Sequence, residues 1–297
     1  MEQHTTQKNW FDKYYKIWMI IPILLLVLCL VYLGNFYSKN GEIILKDVSL
    51  SGGTTITINH AENINFDNLE SQLKIKYPDI STKKLSDLRT GKAIAFIIES
   101  ASSPENLKSD VESILGFKLT DENSSIEFSG SSLGQGFYRQ LVTALIISFI
   151  LMSLVILIMF RTFVPSIGVI FAAFSNIVMP LAIIDYFGIK LSAAGIAAFL
   201  MIIGYSVDVN ILLTTRAIRN REGHLNTRIY GAFKTGILMT LTALFAVLPA
   251  FFLVTGLPDS FKQIFLILGL GLGSDIINTW MTNAGIIKWY CTKHNIT

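Results

Sequence analysis

Charge is scarce in this chain. Charged residues make up 15% of the 297 positions while 52% are hydrophobic, against roughly 25% charged in ordinary soluble domains. Too few charges are present to coat a water-soluble surface. Cysteine is rarer still: only Cys29, inside an apolar block, and Cys291, near the C-terminus, occur, and neither a disulfide nor a metal framework follows from them. There is no Gly-x-x-x-x-Gly-Lys-Ser/Thr phosphate loop, no His-Glu-x-x-His and no serine in a Gly-x-Ser-x-Gly setting. ATP hydrolysis and proteolysis lose support, and neither an enzyme nor a bound cofactor is expected. His4, His60, His224 and His294 fall in predicted tails, loops or strand ends and suggest no metal site. A formal charge of +3 does not imply nucleic-acid binding.

What the chain has is long hydrophobic runs. The block 16–34 is long enough, at 1.5 Å per residue, to cross a bilayer core of about 30 Å. It reads as a retained anchor rather than a cleaved signal peptide, because its apolar stretch is long and no Ala-x-Ala-like site follows. Trp10, Tyr14, Tyr15 and Trp18 suit the lipid headgroup region. Five more spanning blocks follow at 138–160, 164–184, 191–215, 229–255 and 261–289, with Pro165, Gly188, Gly223 and Pro258 marking breaks.

Lys and Arg lie unevenly about these blocks. Lys8, Lys13, Lys16, Arg161, Arg216, Arg219, Arg221, Arg228, Lys288 and Lys293 fall on one side, and the two short loops opposite offer only Lys190 and Lys262. The positive-inside rule then places both termini in the cytoplasm of a multi-pass protein of the cytoplasmic membrane. The expected division is a cytoplasmic N-terminus at 1–15, a first transmembrane helix at 16–34, an extracytoplasmic domain at 35–137, helices two to six at 138–289 and a cytoplasmic tail at 290–297.

The outer segment reads as α+β. Strands are expected at 41–50, 53–59 and 92–99 and around Ile126-Glu127-Phe128, with Ser51-Gly52-Gly53 allowing a turn or bulge. Helices are expected at 66–77, where Phe66, Leu69, Leu73 and Tyr77 keep helical spacing, and from Pro104 to a stop at Gly116. Two helices among four or five strands suggest a ferredoxin-like domain.

An ionisable side chain at the bilayer centre costs about 2.5–3.5 kcal/mol on insertion scales, so each is a functional candidate. Asp208 in the fourth helix, Lys234 in the fifth and Asp275 in the sixth qualify. Asp208 and Lys234 could lie at similar depth and pair, and an opening and closing pair can carry protons. The plainer alternative is a static packing pair, with Lys234 snorkelling to the interface. Asp275, followed by Asn278 and Thr279, fits an interhelical hydrogen bond as well as a proton site. Gly269 and Gly273 form a small-xxx-small pair suited to helix packing, and Ser192, Ala194, Gly195 and Ala198 thin the fourth helix.

Several motifs resemble a known family. Gly204-Tyr205-Ser206-Val207-Asp208, ahead of Thr215-Arg216, is similar to the fourth-helix signature of SecF, especially its archaeal form. Asp47 with Ser51-Gly52-Gly53-Thr54 resembles the Asp-x-x-Gly-Gly-Thr element of the SecD and SecF outer domains, with extra residues before the glycines. Ser132-Leu133-Gly134, Lys234-Thr235-Gly236 and Asp275-Ile276-Ile277-Asn278-Thr279-Trp280 resemble further SecF elements. Val209 stands where bacterial members have an Asp, so the carboxylate comes one residue earlier, as in the Val-Asp-Ala-Asn of SecD, whose outer region is usually much larger.

The resemblance implies a subunit that pairs with SecD in a bundle of the resistance-nodulation-division type within membrane lipid. It implies association with the Sec translocation channel and help, driven by protons, for exported polypeptides as they emerge. Two rival readings share the helices: a scaffold that only stabilises SecD or the channel, and a small-molecule efflux transporter of the same superfamily.

Overall fold

The computed structural model describes residues 10–59, 64–78, 80–86, 93–220, 223–253 and 259–296. His4, Lys8, His60, Lys92, Arg221, Thr255 and Pro258, weighed above, lie outside the described residues. In chain order the elements begin with α1 (Trp10–Asn40), α2 (Val48–Ser51), β1 (Gly53–Asn59), α3 (Phe66–Lys76), β2 (Ser81–Ser86), β3 (Ala93–Ser100), α4 (Pro104–Leu115) and β4 (Ser124–Ser129). Then come α5 (Ser131–Phe160), α6 (Phe163–Tyr186), α7 (Ala193–Ile218), α8 (Leu225–Leu253), α9 (Asp259–Ile277), a π-helical stretch over Asn278–Asn283 and α10 (Ala284–Lys293).

Six helical runs are long and apolar enough to cross a membrane: α1, α5, α6, α7, α8 and the continuous run from α9 to α10. The chain is an α-helical integral membrane protein. Its bundle has an inside and an outside. The runs α6, α7 and α9–α10 bury about half of their apolar stretch, whereas α1, α5 and α8 leave most of theirs exposed. Small residues let the inner helices approach closely: Ala172 and Ala173 on α6 and Ala198 on α7 are buried, and a side chain on Gly271 of α9 would overlap Ile202 of α7.

The α+β domain stands between α1 and α5. Its four strands run antiparallel in the order β2-β3-β1-β4, with α3 and α4 as crossovers, which is the ferredoxin-like arrangement. Alternation along β1 sends Ile56 and Ile58 to one face, where they pack with Phe96 and Ile98 of β3, Leu69 and Leu73 of α3, and Leu107 and Val111 of α4. Each such burial is worth about 1.5–3 kcal/mol. Asn65 caps α3 by accepting from the Asn68 amide at 3.3 Å, and Gly116 ends α4 at φ +76°, a conformation that favours glycine.

Two segments differ from the sequence expectation. Residues 41–50 form no sheet strand: Asp47 accepts from the Val48 amide and starts the one-turn α2, while the backbone around Lys46 bridges to Leu191 in the α6–α7 connector. The hydrogen-bonding groups of this segment are therefore spent on a cap and on the bundle. The polar edge strand β2, Ser-Thr-Lys-Lys-Leu-Ser, had no apolar alternation to reveal it.

Candidate functional site

The inner helices enclose a buried polar chain. Asp275 of α9 is 1% exposed, and its Oδ1 accepts from Asn176 Nδ2 of α6 at 2.7 Å, Ser206 Oγ of α7 at 2.7 Å and Thr279 Oγ1 at 3.0 Å. Three helices thus meet on one carboxylate oxygen. Oδ2 is buried with no hydrogen-bond partner. Asn278 Nδ2 donates to Asn176 Oδ1 at 2.6 Å, Asn210 Nδ2 donates to the Ser206 carbonyl at 2.8 Å, and Asn283 Nδ2 donates to Asn210 Oδ1 at 2.6 Å. This chain runs along the π-helical stretch, a distortion frequent at functional sites. Of its members, Asp275, Asn278 and Thr279 drew attention as polar groups and Ser206 as part of a motif. Asn176, Asn210 and Asn283 carry no formal charge, so the charge criterion passed over them.

Asp208 is placed differently. Val209 and Asn210 beside it are buried, but Asp208 is exposed on the outside of α7, as is Gly204 one turn earlier. Lys234 is exposed on α8. No ion pair joins Asp208 to Lys234 among the described residues, which corrects the expectation that they meet. The reason is rotational: α7 and α8 pack through Val209, Leu213 and Ala232, and the two charges sit off that seam. The polar tie between these helices is Arg216, whose Nη1 donates to the Gly231 carbonyl at 2.7 Å and to Thr235 Oγ1 at 3.0 Å. Tyr205 is half-buried against the same cluster.

The expected packing glycines also shift. A Cβ on Gly269 would meet only Leu248 Cδ2 at 3.7 Å, and one on Gly273 would meet nothing within 4 Å. Close approach falls instead on Gly271, on Gly195 and on Gly236.

The residues of the Asp47 and Ser-Leu-Gly elements converge on the seam between the α+β domain and the bundle. Asp47 N–H donates to the Leu191 carbonyl at 2.9 Å, Leu191 N–H to the Leu45 carbonyl at 2.6 Å, and Ala193 N–H to Ser49 Oγ at 3.2 Å. Gly52, at φ +82°, lies against the backbone of Gly130 and Ser131, and Gly134 lies against Leu50 and Gly52. Gly53 sits at φ +140° against Ser100 and Ala101, and Thr54 Oγ1 donates to the Ser102 carbonyl at 2.6 Å. A side chain at Gly52 or Gly134 would push α2 and α5 apart, and one at Gly53 would push β1 off the end of β3. Asp47 is 8% exposed and Glu99 of β3 is 6% exposed. Burial first, then the neighbouring Asp47 carboxylate, push the Glu99 carboxyl up to about 7; Lys83 and Lys190 oppose the shift.

The family model described as "Protein export membrane protein SecD/SecF, C-terminal" matches residues 112–293. A protein named protein-export membrane protein SecF from Methanolacinia petrolearia is 34% identical over 279 residues, covering 92% of this chain and 93% of the relative. Its namesake from Methanocaldococcus jannaschii is 35% identical over 289 residues, covering 95% and 98%. The chain belongs to the SecF family of protein-export membrane proteins. The fold agrees with SecF architecture. The crystal structure of SecDF from Thermus thermophilus, described as a translocon-associated membrane protein, superposes with a TM-score of 0.71 at 21% identity, covering 98% of this chain and 40% of that one. SecDF in its super-membrane-facing form gives a TM-score of 0.62 at 17% identity, with 96% and 39% covered.

Proposed function

We propose that this chain is the SecF-type half of a two-part export assembly in the cytoplasmic membrane, coupled to the proton-motive force. Both termini face the cytoplasm and the α+β domain faces outward. SecD and subunits of the Sec translocation channel are its partners, and exported polypeptides are the molecules it assists. The observation that carries this reading is Asp208: an intramembrane carboxylate on an exposed helix face is costly against lipid and calls for a protein surface or a water-filled cleft beside it. Lys234 on the neighbouring α8 is exposed too, so both charges are available to a partner subunit. Asp275 holds the inner helices together from the other face of α7, through Ser206. Protonation of Asp208 against that partner, sensed by Lys234 and passed to Asp275 through small movements of α7, is the proposed coupling. The potential supplies about 2.3 kcal/mol per charge per 100 mV.

The test is proton-dependent export in vesicles carrying Asp208→Asn, with co-purification of SecD as the control. Loss of export with SecD still bound supports the motor. Normal export with SecD bound overturns it and leaves the scaffold, a reading favoured by the fixed polar ties at Arg216 and Asp275.

A further inference from the structure

We propose that the seam between the α+β domain and the bundle holds a proton-binding site separate from Asp208, formed by the Asp47 and Glu99 carboxyl groups, and that the bound proton holds the domain against the bundle. The outward position of this seam rests on the function proposed above; the site itself does not.

Glu99 belongs to β3 and Asp47 to the linker, and the two carboxyl groups are neighbours, the Asp47 charge helping to raise Glu99. Two neighbouring carboxyl groups can hydrogen-bond to each other only by sharing a proton, since two carboxylates have acceptors and no donor. Both residues are more than nine-tenths buried, and Glu99 Oε2 is buried with no hydrogen-bond partner. A bare carboxylate oxygen in that setting is a place for a cation, and the smallest is the proton.

The charged groups facing Glu99 are Asp47 of the linker, Lys83 of β2 and Lys190 of the α6–α7 connector. Lys83 Nζ stands 3.4 Å from Glu99 Oε1, a loose approach that leaves the pair partly uncompensated. The same two lysines line an open cavity of about 320 Å³ between β2, the connector and the start of α9, with Ser81, Lys262 and Gln263. Water, and so protons, can enter there.

The site is mechanically in series with the seam. A shared proton ties Glu99 to Asp47, and the Asp47 N–H donates to the Leu191 carbonyl at the end of the bundle. With the proton in place, sheet, linker and bundle form one hydrogen-bonded chain. Without it, two carboxylates repel at the middle link.

The sign follows from the raised Glu99 value. A carboxyl at about 7 when docked and at its ordinary 4.5 when released binds its proton more tightly in the docked state. Docking is therefore strongest below about 4.5, weakens as pH rises through the interval, and levels off above about 7. Within that window the docking equilibrium changes by about tenfold per pH unit, the signature of one linked proton.

The experiment is hydrogen exchange of the purified full-length chain in nanodiscs, following peptides that contain the Asp47 and Leu191 amides, with intrinsic exchange divided out. Wild-type protection should climb about tenfold per pH unit on acidification through the window, and Glu99→Gln should give high protection with no slope. Asp47→Asn, which keeps the α2 cap, should move the midpoint to lower pH, and it serves if Glu99→Gln does not fold. A flat wild-type profile, or an unchanged slope in a folded variant, overturns the proposal. No partner, gradient or export substrate enters this measurement, so its failure is distinct from failure of the export reading.

Discussion

Gly236 of α8 faces the indole of Trp280 in the π-helical stretch so closely that a methyl group there would overlap the ring. The fifth and sixth membrane runs can touch at that point only because one of them lacks a side chain. Gly236→Ala should destabilise the bundle by about 1–3 kcal/mol, read as a lower Tm in detergent. Gly273→Ala, which meets nothing within 4 Å, should leave Tm unchanged or raise it slightly through helix propensity.

Asn176 is the middle link of the buried polar chain. Its amide donates to Asp275 and to Ser206, and its carbonyl accepts from Asn278. Asn176→Ala should cost about 1–3 kcal/mol for each group left without a partner. Thr143→Ala, on exposed α5, where the hydroxyl donates to the carbonyl of Arg139, is the control and should change Tm little.

Lys288 of α10 is buried and donates to Asp12 of α1 and to Asn226 of α8, tying three runs at one end of the bundle. Asp12→Asn leaves that ammonium without its carboxylate and should destabilise by about 3 kcal/mol. Lys288→Met removes the buried charge along with the pair and should cost less. Thermal unfolding of both variants in one detergent decides the order.

Asp110 of α4 gives a pH response opposite in sign to that of Glu99. Hydrogen bonds from Lys76 and Tyr77 hold its carboxyl below the ordinary 3.8. The α3–α4 contact it supports is therefore complete above about 3.8 and lost as pH falls through the lowered value. The pair is largely solvated and screened, so the loss is about 0.5 kcal/mol. Asp110→Asn should remove it, seen as equal exchange protection of α3 amides at pH values on either side of the window.

The membrane runs and the two domain helices were legible because each rests on a local regularity: apolar length for the spans, and 3.6-residue spacing with a Pro start and Gly stop for α4. The one-turn α2 was not, because 41–50 carries β-branched residues such as Ile43, Ile44 and Val48 that suit a strand, while the partner of its backbone, Leu191, lies far away in sequence. The same limit explains the site. Intramembrane charge picked out Asp208, Lys234 and Asp275, but which way each residue faces depends on helix rotation, and that is fixed by packing partners such as Val209 and Trp280. The bond between neutral members such as Asn210 and Asn283 becomes visible only once α7 and the π-helical stretch are side by side.

One residue, Gly130, separates the last strand of the sheet from the first turn of α5, and the next turn of that helix presses Gly134 onto Leu50 and Gly52. A joint this short has almost no slack. Tilt or rotation of α5 in the membrane is therefore delivered to the sheet as torque, the way a stiff axle turns what is fixed to its end, and a flexible insert at Gly130 would act as a clutch, letting the helix turn while the domain stays still.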